Sequence, residues 1–144
     1  MKVDFWQLSR DPVEKVVALI AARVMDAGER LLVVSASPEQ RQTISRKLWK
    51  AGPDSFLANG EAGAVGSENQ PILLSETLDA PNTASHVIFA DGEYREQSGF
   101  ERVFLLFDDN TVEAARGIWR GLDGTDHLER AFFRQDGGKW VKVA

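Results

Sequence analysis

Two neighbouring groups of side chains late in the sequence have the types and spacing to do chemistry. Asp108 and Asp109 close the apolar run ERVFLLFD, and the helix-like stretch NTVEAARGIWRGL that follows carries Arg116, Trp119 and Arg120. Carboxylates at the carboxyl end of a strand can hold a divalent cation through hard oxygen ligands, and open α/β sheets place their ligands at that end. The same residues can instead begin the helix, with Asp109 or Asn110 as its cap and Asp108 in solvent. On the helix, at about 100° per residue, Ala115, Ile118 and Leu122 form the inward stripe and Trp119 lies at its edge. Arg116 and Arg120 fall one turn apart further round, with Val112 one turn below Arg116. An indole beside two planar, two-pronged cations suits a carboxylate with an apolar neighbour, a chemistry used to capture peptides. The alternative is a core tryptophan flanked by solvated arginines.

These residues need a scaffold, and the rest of the sequence spells one. KVDFWQL (2–8) reads as a first strand. RDPVEKVVALIAARVMDAGE reads as a helix with Asp11 as N-cap, Pro12 at the first helical position, Glu14 closing a capping box and Gly28 as the stop. Its apolar face is Val13, Val16, Val17, Ile20, Val24 and Ala27. RLLVVSAS (30–37) is the short continuous apolar run of a strand covered on both faces. SPEQRQTISRKLWKAG repeats the helix signals with Ser37 as cap, Pro38 in the first turn, Gln40 in the box position and Gly52 beyond the end. The glycine-rich ANGEAGAVGSENQ (58–70) has no periodicity and is expected to be a functional or mobile loop. Strands are expected at PILLS (71–75), SHVIFAD (85–91) and 101–108, then a helix over 111–122. ERAFFRQ (129–135) and KWVKV (139–143), joined at DGG, make a hairpin. The alternation predicts an α/β, Rossmann-like three-layer sandwich, its sheet mostly parallel with an antiparallel C-terminal edge.

Bulk properties narrow the function. A chain of 144 residues fits one domain, 1–144, with a core of its own. Without cysteine there is no disulfide framework and no thiolate metal site. The start MKVDFWQLSRD is charged where a signal peptide needs an apolar run, and no run reaches membrane-spanning length, so a soluble cytoplasmic protein is expected. LLVVSASPEQR lacks both glycine-rich phosphate motifs, so no nucleotide cofactor is expected. His86 and His127 belong to no metal-spacing motif, and Ser35 and Ser37 form no nucleophile elbow. Neither a metal site nor a catalytic set is expected, except in the rival reading of a small metal-dependent or phosphoryl-transfer enzyme using Asp108 and Asp109.

Two further surfaces stand out. LWKAGPDSFLANG gathers Trp49, Pro53, Phe56 and Leu57 around a helix end, either to finish the core or to present an apolar partner patch. Arg130, Arg134, Lys139 and Lys142 are scattered along the terminal hairpin, where charges protect a sheet edge from unwanted pairing.

In order and spacing, FWQL, AARVMDAGERLLVVSAS, LWKAGPDSFLANG with QPILLSE, VFLLFDD and AARGIWRGL resemble the chi subunit of the bacterial DNA polymerase III holoenzyme. The resemblance spans nearly the whole chain. It implies a Rossmann-like fold without nucleotide chemistry and a non-catalytic accessory subunit of the clamp-loader complex. It also implies a link to single-stranded-DNA-binding protein, made by holding that protein's acidic, Phe-terminated C-terminal tail. Residue by residue, a basic position of the family's tail pocket falls on Arg116, the aromatic position on Trp119 and a following basic position on Arg120. Val112 replaces a further basic residue of some members. The surface holding Trp49, Pro53, Phe56 and Leu57 corresponds to the one that meets the small psi subunit where a psi exists. This chain reads SFLAN there, with Ala58 and Asn59, where many members read SFLPH.

A net charge of -5 opposes a counterion-releasing grip on nucleic acid, and no basic groove lined with stacking aromatics is visible. The isolated protein should therefore bind single-stranded DNA only weakly in an anisotropy titration. Submicromolar affinity at physiological salt would contradict this.

Overall fold

The apolar runs become strands with almost nothing exposed: Leu31–Val34 and Ile72–Leu74 are buried throughout, because helices and loops cover both faces of the sheet they enter. The structure is a computed structural model and describes residues 1–50, 57–136 and 138–144. In chain order the elements are β1 (Lys2–Gln7), α1 (Val13–Asp26), β2 (Leu31–Val34), α2 (Pro38–Trp49), β3 (Asn59–Glu61), a 3-10 turn (Ser67–Asn69), β4 (Ile72–Ser75) and β5 (His86–Phe89). There follow β6 (Arg102–Phe107), α3 (Val112–Gly121), β7 (Glu129–Asp136) and β8 (Lys139–Lys142). The strands form one sheet in the order β3-β4-β2-β5-β6-β1-β7-β8, parallel except for the last pair. This is the expected Rossmann-like α/β sandwich with an antiparallel C-terminal edge.

Side-chain alternation divides the core in two. Helices α1 and α2 pack on one face over Leu31, Val33, Ile72, Leu74, Ile88 and Leu106. Helix α3, residues 78–84 and Tyr94 cover the other face over Val3, Phe5, Leu32, Val34, Phe89 and Leu105. Strand β1 lies between β6 and β7 and is parallel to both, which joins the two ends of the chain.

Three local expectations are corrected. Asp11 is not the side-chain cap of α1, and Glu14 does not close a box: α1 starts at Val13 with no side-chain cap bond. The Asp11 carboxylate instead accepts from Lys15 Nζ at 3.2 Å and from Gln135 Nε2 at 2.8 Å, which ties the start of α1 to β7. In α2, Ser37 caps as expected by accepting from the Gln40 N–H at 3.1 Å, but the Gln40 amide goes elsewhere, donating to the Ala90 carbonyl and bonding the Ser35 hydroxyl. The segment 58–70 is not all loop, since residues 59–61 form β3 beside β4 and the 3-10 turn follows. A three-residue strand is too short to show a period. Gly28 stops α1 as expected, in the left-handed conformation (φ 75°) with the Glu29 N–H bonded back to the Val24 carbonyl.

On the α1 side of β1, Asp4 is fully buried. Its Oδ2 receives Arg102 Nε at 3.0 Å and Nη2 at 2.5 Å, while Oδ1 has no partner among the described residues. The Arg102 side chain is about a third exposed, at 35%. Removing the guanidinium strands a buried carboxylate, whereas removing the carboxylate leaves a cation able to reach water. Arg102→Ala should therefore cost about 3 kcal/mol by urea unfolding, and Asp4→Ala clearly less. Equal losses would show that the pair's burial is not what matters.

Candidate functional site

Helix α3 begins on a turn that Asp108 holds. Its Oδ1 accepts from the Asn110 N–H at 2.9 Å and from Thr111 Oγ1 at 3.2 Å, and its own N–H donates to Thr111 Oγ1 at 3.0 Å. Thr111 takes the cap position, not Asp109 or Asn110. Thr111 is also held from above: a Cβ on Gly92 would come within 3.0 Å of its side chain, and Gly92 has φ 80°. Asp108 thus has a structural task, and Asp109 is exposed.

The carboxyl end of the sheet, where an α/β enzyme would keep its ligand, is filled by a clasp. Asp91 takes Arg95 in a two-pronged pair at 3.0 and 2.7 Å, together with the N–H groups of Ala36 and Glu93. Burial pushes the Asp91 carboxyl up, but Arg95 and the two N–H groups outweigh it and hold the carboxyl below its usual range. The recess lined by Gln40, Asp91, Asp108 and Thr111 measures about 80 Å³, too small for a nucleotide.

Among the described residues, the one set of three metal-type ligands within 4.8 Å of one another is Glu29, His86 and Glu101, at the opposite end of the sheet. Two of these are already linked through Ser85, whose Oγ donates to Glu29 Oε2 at 2.6 Å and lies 2.8 Å from His86 Nδ1. Burial lowers the His86 pKa against the opposing pull of Glu29. The Glu29–Ser85–His86 chain fastens the start of β5 to the turn after α1.

On α3, Ala115 is buried, and Val112, Ile118, Trp119 and Leu122 are half-buried against the Phe5 side of the sheet. Arg116 and Arg120 are exposed. Arg116 pairs with Glu113 at 2.9 Å, with side-chain exposures of 56% and 78%. Such an exposed i,i+3 pair is worth under about 1 kcal/mol and yields readily to another anion. Trp119 stands edge-on to Phe5 (ring centroids 5.2 Å apart, 83°) and to Phe132 (5.8 Å, 86°). Its face is not free, because the Arg130 guanidinium lies 4.2 Å from the ring centroid, hydrogen-bonds the Trp119 carbonyl, and pairs with Asp123 at 2.8 Å. The cation nearest the indole is therefore Arg130 of β7. Read from the sequence, that residue belonged to the scattered charges of the hairpin, and only the parallel β1–β7 pairing brings it beside α3.

The other flank of α3 differs in kind. Gly117 and Gly121 open on a groove of about 570 Å³ with Tyr94, Ile118 and Leu122, lined by Glu96 and by no arginine or lysine. At the end of α2, Leu57 is folded into the core while Trp49 is 47% exposed. Pro53 and Phe56 lie outside the described residues.

The family model described as DNA polymerase III chi subunit, HolC, matches residues 1–128. The chain belongs to the chi family. Chi is an accessory subunit of DNA polymerase III, which sets this chain in DNA replication. No individual curated protein matches the chain. The chi match ends where β7 begins, so Arg130 and Phe132 lie beyond the matched residues.

If Asp108 serves the turn and not a metal, Asp108→Ala should lower stability by about 1 kcal/mol, as loss of a helix-start contact does. Magnesium at millimolar concentration should then leave the amide NMR spectrum around 108–111 unchanged. Saturable shifts at a definite stoichiometry would restore the metal reading.

Proposed function

We propose that this chain is a non-catalytic adaptor that joins the clamp-loader complex of DNA polymerase III to single-stranded-DNA-binding protein. It does so by holding that protein's acidic, Phe-terminated tail on the arginine flank of α3. The observation that carries this reading is the placement of Arg116, Trp119 and Arg120 on one flank of a single helix in a chi-family chain, with Val112 below them. The planar guanidinium of Arg116 suits the terminal carboxylate, Arg120 adds field for the other acids, and the Trp119 edge with Val112 offers apolar contact to the phenylalanine. Arg130 covers one face of Trp119, so the phenylalanine meets the indole on the part that Arg130 leaves open.

A psi-like subunit, where one exists, would meet the chain around Trp49, Pro53 and Phe56, next in sequence to the buried Leu57. Cytoplasmic location accords with this role; among the described residues, no helix is long and apolar enough to cross a membrane.

Calorimetry with the cognate tail peptide, and with the same peptide lacking its final phenylalanine, tests the proposal. Arg116→Ala should weaken binding about tenfold to a hundredfold, as expected for loss of a charge-assisted contact. Arg116→Lys should recover part of the loss, and salt should weaken the wild-type complex. Equal affinity of wild type and a folded Arg116→Ala variant would refute this site.

A further inference from the structure

Arg130 and Asp123 form a second guanidinium–carboxylate pair on the same flank of α3. At 100° per residue, Asp123 continues the line of Arg116 and Trp119 past the end of the helix. Arg130 is held in two ways that no ligand needs to disturb: it stacks on the Trp119 ring and bonds the Trp119 carbonyl. Its Nη2 carries the Asp123 carboxylate at 2.8 Å, and the two side chains differ sharply in exposure, 23% for Arg130 and 74% for Asp123. The cation is fixed while its anion stands in water.

We infer that Arg130 is a third cation of the peptide site and that Asp123 is a built-in competitor, occupying the place on Arg130 that a carboxylate of the bound acidic tail takes over. This rests on the tail-binding reading above and extends it to β7, beyond the segment matched to the chi family. A tail with several acids and a terminal carboxylate presents Arg130 with more negative charge than the single exposed Asp123, so it displaces that aspartate at a net gain in affinity. The stacked Arg130 is already oriented, so little freedom remains to be lost on binding. Glu113 stands to Arg116 as Asp123 stands to Arg130, which gives an internal control.

The test is a double-mutant cycle read by calorimetry with the cognate tail peptide. Arg130→Gln should weaken binding about tenfold. Asp123→Asn should tighten it about two- to fivefold, the scale of an exposed ion pair. In the Arg130→Gln background the gain from Asp123→Asn should vanish, whereas the gain from Glu113→Gln should persist. Persistence of the Asp123→Asn gain without Arg130 would reduce Asp123 to a general field effect and overturn the inference. So would wild-type affinity in Arg130→Gln. If Arg130→Gln does not fold, Arg130→Met takes its place in the cycle, since methionine keeps an apolar stem against the indole without the charge. Asp123→Asn alone must still tighten binding, and an unchanged or weaker complex overturns the proposal. Should Arg116→Ala lose the peptide while the Arg130 cycle is flat, only this inference fails. Should the wild-type protein not bind the peptide, the tail-binding reading fails with it.

Discussion

Parallel pairing of β1 with both β6 and β7 is the constraint on which the remainder of the molecule depends. It seats the first strand deep in the sheet and obliges the chain's last segment to pass beside its first. Phe5 on one face of β1 then meets Trp119 and Phe132, while Trp6 on the other face meets Phe104, Phe133 and Trp140. Burying aromatic rings of this size contributes on the order of 2 to 3 kcal/mol each, and both faces draw on the same strand. The buried Asp4 is tolerated there because β6 brings Arg102 to it.

From this packing follows the character of the α3 surface. Edge-on contacts with Phe5 and Phe132 fix the indole of Trp119, so the helix cannot roll to present a different set of side chains. The arginines then emerge at one boundary of the core, where cations keep their hydration yet stand against apolar surface. An acidic protein thereby holds a local basic patch.

The carboxyl end of the sheet is taken up by the protein's own contacts. No glycine-rich turn follows β1 or β2, and Asp91 spends its carboxylate on Arg95 and two backbone N–H groups where a ligand would otherwise be received. Asp108 is engaged in the same manner by the turn that starts α3. The place the fold offers for chemistry is used to fasten its own connections.

What the sequence by itself determined was whatever depends on neighbours in the chain. The strand and helix order, the Ser37 cap, the Gly28 stop and the arrangement of Arg116, Trp119 and Arg120 on one flank all follow from periods of two and 3.6 and from local backbone rules. The resemblance to chi subunits rested on the same ordered segments. Tertiary structure alone decided the contacts between residues far apart in the chain. Gln135 took the Asp11 carboxylate away from the start of α1, and residues 59–61 became a strand because β4 offered them an edge. Arg130 covered the indole because β7 runs beside β1. No local pattern encodes such pairs, since a side chain's partner across the sheet is set by strand order, and strand order is settled by burying the whole core at once.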